Sequence, residues 1–255
     1  MKEATRTDEI DEQNDKKSYY SDLKFSEKSL RLFCNGDEWK EIELRRRLYR
    51  LKDEPAWKSG RWYHAFHWLS KECREQVLRF EGEHVKELFD VSGSDINMLA
   101  KHLEKEDIPA IELMRFQRDV MRDFRKDFGT RRRDGKCTAK VKQAFKVYLN
   151  SSKAFYYAIR GDSICKKIDE WFKLRYPTIR EYIASHDRIW EDVMLNEFEV
   201  VSKKMFRELQ KRGIKALTCH DAIYVKESVQ VPDIEEMFSR CLGLSAYWQD
   251  RLEAI

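Results

Sequence analysis

Helical patterning runs through most of this chain, but it gives way at two places to strand-like runs, and each run carries an aspartate at its end or its turn. The first, Val77 to Asp90, reads VLRFEGEHVKELFD: two arms turning at Glu81-Gly82, the second closing on Asp90. The second, Ile214 to Val225, reads IKALTCHDAIYV and holds His220-Asp221 between two apolar arms. A carboxylate is out of place there on local grounds, because strand propensity favours Val, Ile or Thr and burial disfavours charge. Elsewhere the apolar spacing is helical, as in Ile96, Leu99, Ala100 and Leu103, or Ile111, Met114, Val120, Met121 and Phe124. The reading is a helix-rich α+β chain: a small antiparallel sheet built from the two runs, with a helical insertion between them.

Only nine Gly and four Pro among 255 residues leave few tight turns, which agrees with a mostly helical protein. Residues 1 to about 20 are polar and predicted to be mobile, and Ser26 to Leu51 reads as helical pieces broken near Asn35-Gly36. Gly60 to His64 reads as a loop. Helices follow from Ile108 to about Phe128, from Lys136 to Asn150, and from Ser163 to Lys211 with a break near Tyr176-Pro177; a last helix spans about Pro232 to Leu242.

Fifty Lys and Arg nearly balance 46 Asp and Glu, so the net charge of +4 says little about partners. Its distribution says more. Between Arg115 and Lys146 twelve Lys and Arg face only Asp119, Asp123, Asp127 and Asp134, so the positive charge is concentrated in the central helices. The six cysteines form no CxxC pair, the start MKEATRTDEIDEQNDKK is polar, and no apolar run is long enough to span a bilayer. These features exclude a zinc-ribbon or disulfide framework and predict a cytoplasmic protein without a membrane partner.

Two aspartates brought together at strand ends have a chemical use. Mg²⁺ takes oxygen ligands, commonly one or two carboxylates, and leaves room for water and substrate phosphates. Two such ions serve in-line phosphoryl or nucleotidyl transfer, and neighbouring Lys and Arg grip triphosphate and nucleic-acid backbone.

The residues at these places carry a resemblance. Asp90-Val91-Ser92-Gly93-Ser94-Asp95-Ile96-Asn97-Met98-Leu99-Ala100 resembles motif A of the family A DNA polymerases, the DNA polymerase I class, whose pattern is Asp-x-Ser-x-x-Glu-Leu-Arg-x-Leu-Ala. His220-Asp221 between two strands is similar to motif C of that family and of the related single-subunit RNA polymerases. Lys136-x3-Lys140-x7-Tyr148, between the two, is similar to motif B, usually Arg-x3-Lys-x7-Tyr-Gly. Smaller echoes are Gly60-Arg61, Leu195-x3-Glu199 and Lys211-Arg212-Gly213-Ile214, so the resemblance covers roughly residues 60 to 228.

The resemblance implies a right-hand polymerase core. Residues 1–59 would be an arm and helices forming at most a reduced thumb, 60–107 the first part of the palm with motif A, 108–162 the basic fingers with motif B, and 163–255 the second part of the palm with motif C. It implies a compact DNA polymerase of a phage or other mobile element, adding deoxynucleotides to a primer 3′-hydroxyl on a template and relying on a replication partner for processivity. Asp90, Asp221 and the carbonyl of Val91 would hold two Mg²⁺, with Mn²⁺ as a substitute, and His220 would position the primer end. Lys136 and Lys140 would bind the triphosphate, Tyr148 the base and sugar, and Asp95 would occupy the place of the glutamate that blocks a ribose 2′-hydroxyl. Arg61 and Arg131, Arg132 and Arg133 would contact nucleic acid.

The chain departs from the family pattern at Asp95, one methylene shorter than Glu; at Ala222, where motif C of the DNA polymerases has a third carboxylate; at Leu149 in place of Gly; and at Ala144, where Phe is common. Two other readings follow: a polymerase-like nucleic-acid-binding accessory with weak or no catalysis, and an RNA polymerase or primase-like enzyme. Bland readings stand beside the individual residues. Ser185-His186-Asp187-Arg188 lies in helical periodicity and reads as a solvated helix face. Arg131 to Arg133 reads equally as a solvated loop, Trp62, Tyr63, Phe66 and Trp68 read as core before base-stacking platform, Glu199 reads as helix surface, and His64 with His67 lacks a third metal ligand.

Overall fold

The computed structural model describes residues 20–53, 56–58, 61–91, 94–129, 138–150, 163–186 and 189–243. The expectations for the polar start through residue 19, for Arg131 to Lys136, and for Asp187 lie outside these residues. The chain forms two compact units, one of residues 1–91 and 198–255 and one of residues 92–197. The sequence reading places its boundaries at 59/60, 107/108 and 162/163. In the structure the helices on both sides of the basic segment belong to the same unit as that segment.

The first unit is built on a five-stranded antiparallel sheet in the order β1-β4-β5-β7-β6. Its strands are β1 (Leu23–Phe25), β4 (Leu78–Phe80), β5 (Glu83–Asp90), β6 (Leu217–Cys219) and β7 (Ala222–Lys226). The β4–β5 connection is the expected two-residue turn at Glu81-Gly82, with φ of 50° and 87°. Positive φ at both positions is the condition for a type I′ turn, whose twist matches the strands it joins. The strand leading to His220 is shorter than expected, since only Leu217–Cys219 joins the ladder.

Three helices pack on one face of the sheet: α1 (Glu27–Cys34), α2 (Glu38–Tyr49) and α3 (Lys71–Val77). Ser26, Asp37 and Ser70 cap them by accepting the backbone N–H of Ser29, Lys40 and Cys73. The expected break at Asn35-Gly36 is a left-handed pair, φ 49° and 80°, and the Asn35 N–H closes on Arg31. Leu30, Phe66, Leu78, Phe80 and Tyr224 are buried in the resulting core, each large side chain contributing roughly 1.5–3 kcal/mol of transfer free energy. On the opposite face Phe89 meets Phe238 of the last helix, α11 (Ile234–Leu242), with ring centroids 5.3 Å apart.

Between α2 and α3 the expected loop is a small hairpin of β2 (Ala56–Lys58) and β3 (Arg61–Tyr63), followed by a 3₁₀ turn at Ala65–Trp68. Aromatic residues favour paired strands, and Trp57 stands opposite Trp62.

The second unit is helical: α4 (Ser94–Leu103), α5 (Ala110–Phe128), α6 (Ala139–Asn150), α7 (Ser163–Arg175), α8 (Pro177–Ser185) and α9 (Ile189–Glu197). Pro177 opens α8 at its first turn, and the Ile179 N–H donates to Glu112 Oε1 from α5 at 2.9 Å. Its core is aromatic, with Phe124, Phe145, Tyr148, Phe172 and Tyr176 buried. The chain runs on from α9 into a π-helical stretch, Phe198–Met205, and α10 (Phe206–Lys211), both in the first unit. Among the described residues no helix is long and apolar enough to cross a membrane.

Candidate active site

Asp90 and Asp221 are far apart in the sequence and neighbours in the sheet. Asp90 ends β5 directly opposite Ala222, and the next residue, Val91, donates its N–H to the Asp221 carbonyl at 3.1 Å. Asp221 itself lies in the two-residue turn joining Cys219 to Ala222. The first turn residue, His220, has φ 57°. The tight turns that fit hairpin twist require a positive φ at that position, and a non-glycine residue there stores about 1–3 kcal/mol of strain.

A β-bulge decides which way Asp90 faces. Glu87 pairs with Tyr224 and Phe89 with Ile223, so Leu88 is the extra residue. In a regular strand residues 87 and 90 fall on opposite faces, because side chains alternate. With Leu88 inserted, Glu87 and Asp90 both fall on the face of Tyr224 and Ala222. Glu87 is held there by two bonds, accepting the Tyr224 hydroxyl at 2.9 Å and Lys71 Nζ at 2.6 Å. Partial burial and then the Glu87 charge raise the Asp90 carboxyl above the ordinary carboxylate value, with Lys71 opposing them.

The turn is held from the side away from β5. Thr218 accepts at its carbonyl from the Tyr20 hydroxyl at 2.7 Å and lies 2.9 Å from His67 Nε2. Arg74 donates to Cys219 Sγ and stacks over the rings of Tyr224 and Phe66. The His67 ring lies 5.4 Å from that of His220, and burial pushes its pKa down to about 3. His64 and His67 cap the 3₁₀ turn reciprocally: His64 Nδ1 accepts from Phe66 N–H, and His67 Nδ1 accepts from His64 N–H.

Two carboxylates fit the donor chemistry of Mg²⁺, which completes its shell with water and phosphate oxygen. Among the described residues no group of three or more His, Cys, Asp or Glu is gathered as a metal cage. A site that relies on substrate phosphates needs no such cage.

The other sequence candidates are placed as follows. Lys140 is exposed in the first turn of α6, and Lys142 and Lys146 are exposed on the same helix. Asp95 stands in the first turn of α4, and Arg61 opens β3. Lys136, Arg131, Arg132 and Arg133 lie outside the described residues. Tyr148 requires a correction. Its side chain is 1% exposed, its ring stacks on Phe172, and its hydroxyl donates to Asp169 Oδ1 at 2.8 Å, so it has no surface for a base. Phe66 is core, whereas Trp68 is partly exposed and covered by Arg50. Glu199 pairs with Lys203 at 3.4 Å on the π-helical stretch. His186 lies just past the end of α8 and stacks on Tyr182.

Glu87, Lys71, Arg74, Tyr20 and His67 were not singled out for the site by sequence reasoning. Only Glu87, three residues before Asp90, left a signal in the sequence. No family model, curated protein or solved structure matches the chain.

Proposed function

We propose that the chain is a template-directed nucleotidyltransferase, a DNA polymerase related to family A, with its reaction centre at Asp90 and Asp221. The observation that carries this reading is the placing of those two residues at adjoining ends of β5 and β7, Asp90 opposite Ala222 and Val91 N–H on the Asp221 backbone carbonyl. The first unit then corresponds to a palm and the helical unit to fingers.

Asp90 and Asp221 would hold Mg²⁺, which when bound activates a hydroxyl and neutralises phosphate charge. The residues of the chain itself position the reactants. His220, next to Asp221 in a strained turn, would orient the primer end. The exposed Lys140 would bind triphosphate as a point charge, and Asp95 would bias the sugar toward deoxyribose. Glu87 adds negative charge on the Asp90 face that a bound cation offsets.

Primer extension tests this directly. The wild-type protein, with a primed template, Mg²⁺ and deoxynucleotides, is expected to extend the primer, and Asp90→Ala or Asp221→Ala to lower the rate by on the order of 10³-fold, as when a group stabilising transition-state charge is removed. Normal extension by both variants would overturn the site. No extension by the wild type, with DNA binding retained, would return the chain to the binding-accessory reading.

A further inference from the structure

We propose that Tyr20 and His67 are positioning residues that set the His220-Asp221 turn for the reaction, acting through the Thr218 carbonyl; this rests on the nucleotidyltransferase reading above. Among the described residues β6 is the edge of the sheet, with β7 as its one neighbour. Cys219 and Ala222 flank the two-residue turn as the pair that exchanges ladder bonds, so Thr218, one step back, turns its carbonyl outward. Such a carbonyl is ordinarily satisfied by water. Here two side chains from distant parts of the chain converge on it, Tyr20 at 2.7 Å and His67 at 2.9 Å.

The His67 tautomer follows from its other contact. His64 N–H donates to Nδ1 at 3.3 Å, so Nε2 carries the proton and donates to Thr218. The burial that pushes its pKa to about 3 keeps the ring neutral in this role. Both lone pairs of one carbonyl, two residues before His220, are thereby fixed in direction. The same His67 ring lies against His220, whose left-handed backbone relaxes unless its surroundings hold it. Arg74 on Cys219 completes a set of contacts to each of the three residues leading into Asp221. Fold stability needs one donor at Thr218, whereas a turn that must hold a reacting end to a fraction of an ångström gains from two.

The test uses His67→Phe, which keeps the ring and removes the donor; His67→Gln, whose amide reaches toward the Nε2 position; and Tyr20→Phe. In primer extension His67→Phe is expected to lower kcat about 10- to 100-fold with KM for the nucleotide within about 3-fold, and Tyr20→Phe to act in the same direction. His67→Gln should recover most of the loss. Hydrogen exchange at the amides of residues 219–222 should quicken in His67→Phe and return toward wild type in His67→Gln. Wild-type kcat in both Phe variants would overturn the proposal, and so would a Gln variant as slow as His67→Phe, because shape rather than donation would then be the cause. If the wild type extends no primer, the nucleotidyltransferase reading fails and the exchange measurement decides alone: faster exchange rescued by Gln supports the positioning role, and unchanged exchange overturns it.

Discussion

The paired aspartates of the helical unit and Asp90 of the sheet unit stand in opposite settings. In the helical unit Asp119 is bound by Arg118 and Arg122, Asp123 and Asp127 by Arg175, and Asp169 by Arg180 and the Tyr148 hydroxyl. Trp171 also donates its indole N–H to Asp127 at 2.7 Å. The Arg118 guanidinium holds the Asp119 carboxyl below its ordinary value. In the sheet unit Asp90 has the reverse setting, raised by burial and by Glu87. A carboxylate placed to support a fold is given cations, while one placed near a like charge costs stability unless something arrives to use it. Asp123 and Asp127 on α5 are engaged by Arg175, while Lys140, Lys142 and Lys146 of α6 are exposed.

The largest contrast should appear at Asp169. Replacing it with Ala removes the acceptor of the buried Tyr148 hydroxyl and the carboxylate that Arg180 grips, and should cost roughly 2–4 kcal/mol in urea unfolding. A loss under about 0.5 kcal/mol would show that the helical unit does not depend on its paired acids.

The next effect is a pH dependence located at the site. The folded pKa values of His64 and His67 are lowered by burial, that of His67 to about 3, against 6.5 for the free side chain. The unfolded chain therefore binds more protons at these residues than the folded one below about pH 6.5, for His67 down to about 3, so the stability present above 6.5 is lost as pH falls. Thermal midpoints measured from pH 7.5 to 4.5 should decline, and His67→Gln should flatten part of that decline. A parallel decline in the variant would place the titration elsewhere.

The smallest effect is expected at Asp90. Asp90→Asn removes a charge that sits beside Glu87, so unfolding free energy should stay within about 0.5 kcal/mol of wild type or rise slightly, even as extension collapses. A loss above about 1 kcal/mol would mean that Asp90 is structural and would erase the difference between the two kinds of carboxylate.

Local chemistry made several of these features readable in advance. Glu81-Gly82 and Asn35-Gly36 mark reversals because their backbones can take positive φ, and Pro177 marks the start of α8. The β2–β3 hairpin was missed because three-residue strands leave too short a period to separate from a loop. Tyr148 was misplaced for a different reason. An aromatic residue near the end of an amphipathic helix serves a core or a ligand equally well, and only the stacking of Phe172 and the carboxylate of Asp169 decided which.

The sequence by itself determined the two strand-and-aspartate runs, the helical stretch between them and its excess of positive charge, since all three depend on residue type and near-neighbour spacing. The tertiary structure alone decided that Asp90 stands opposite Ala222, that the Leu88 bulge turns Asp90 onto the face of Glu87, and that Tyr20 and His67 meet at Thr218. These are relations between residues up to 198 positions apart, and no local propensity encodes a register or a hydrogen bond over that distance.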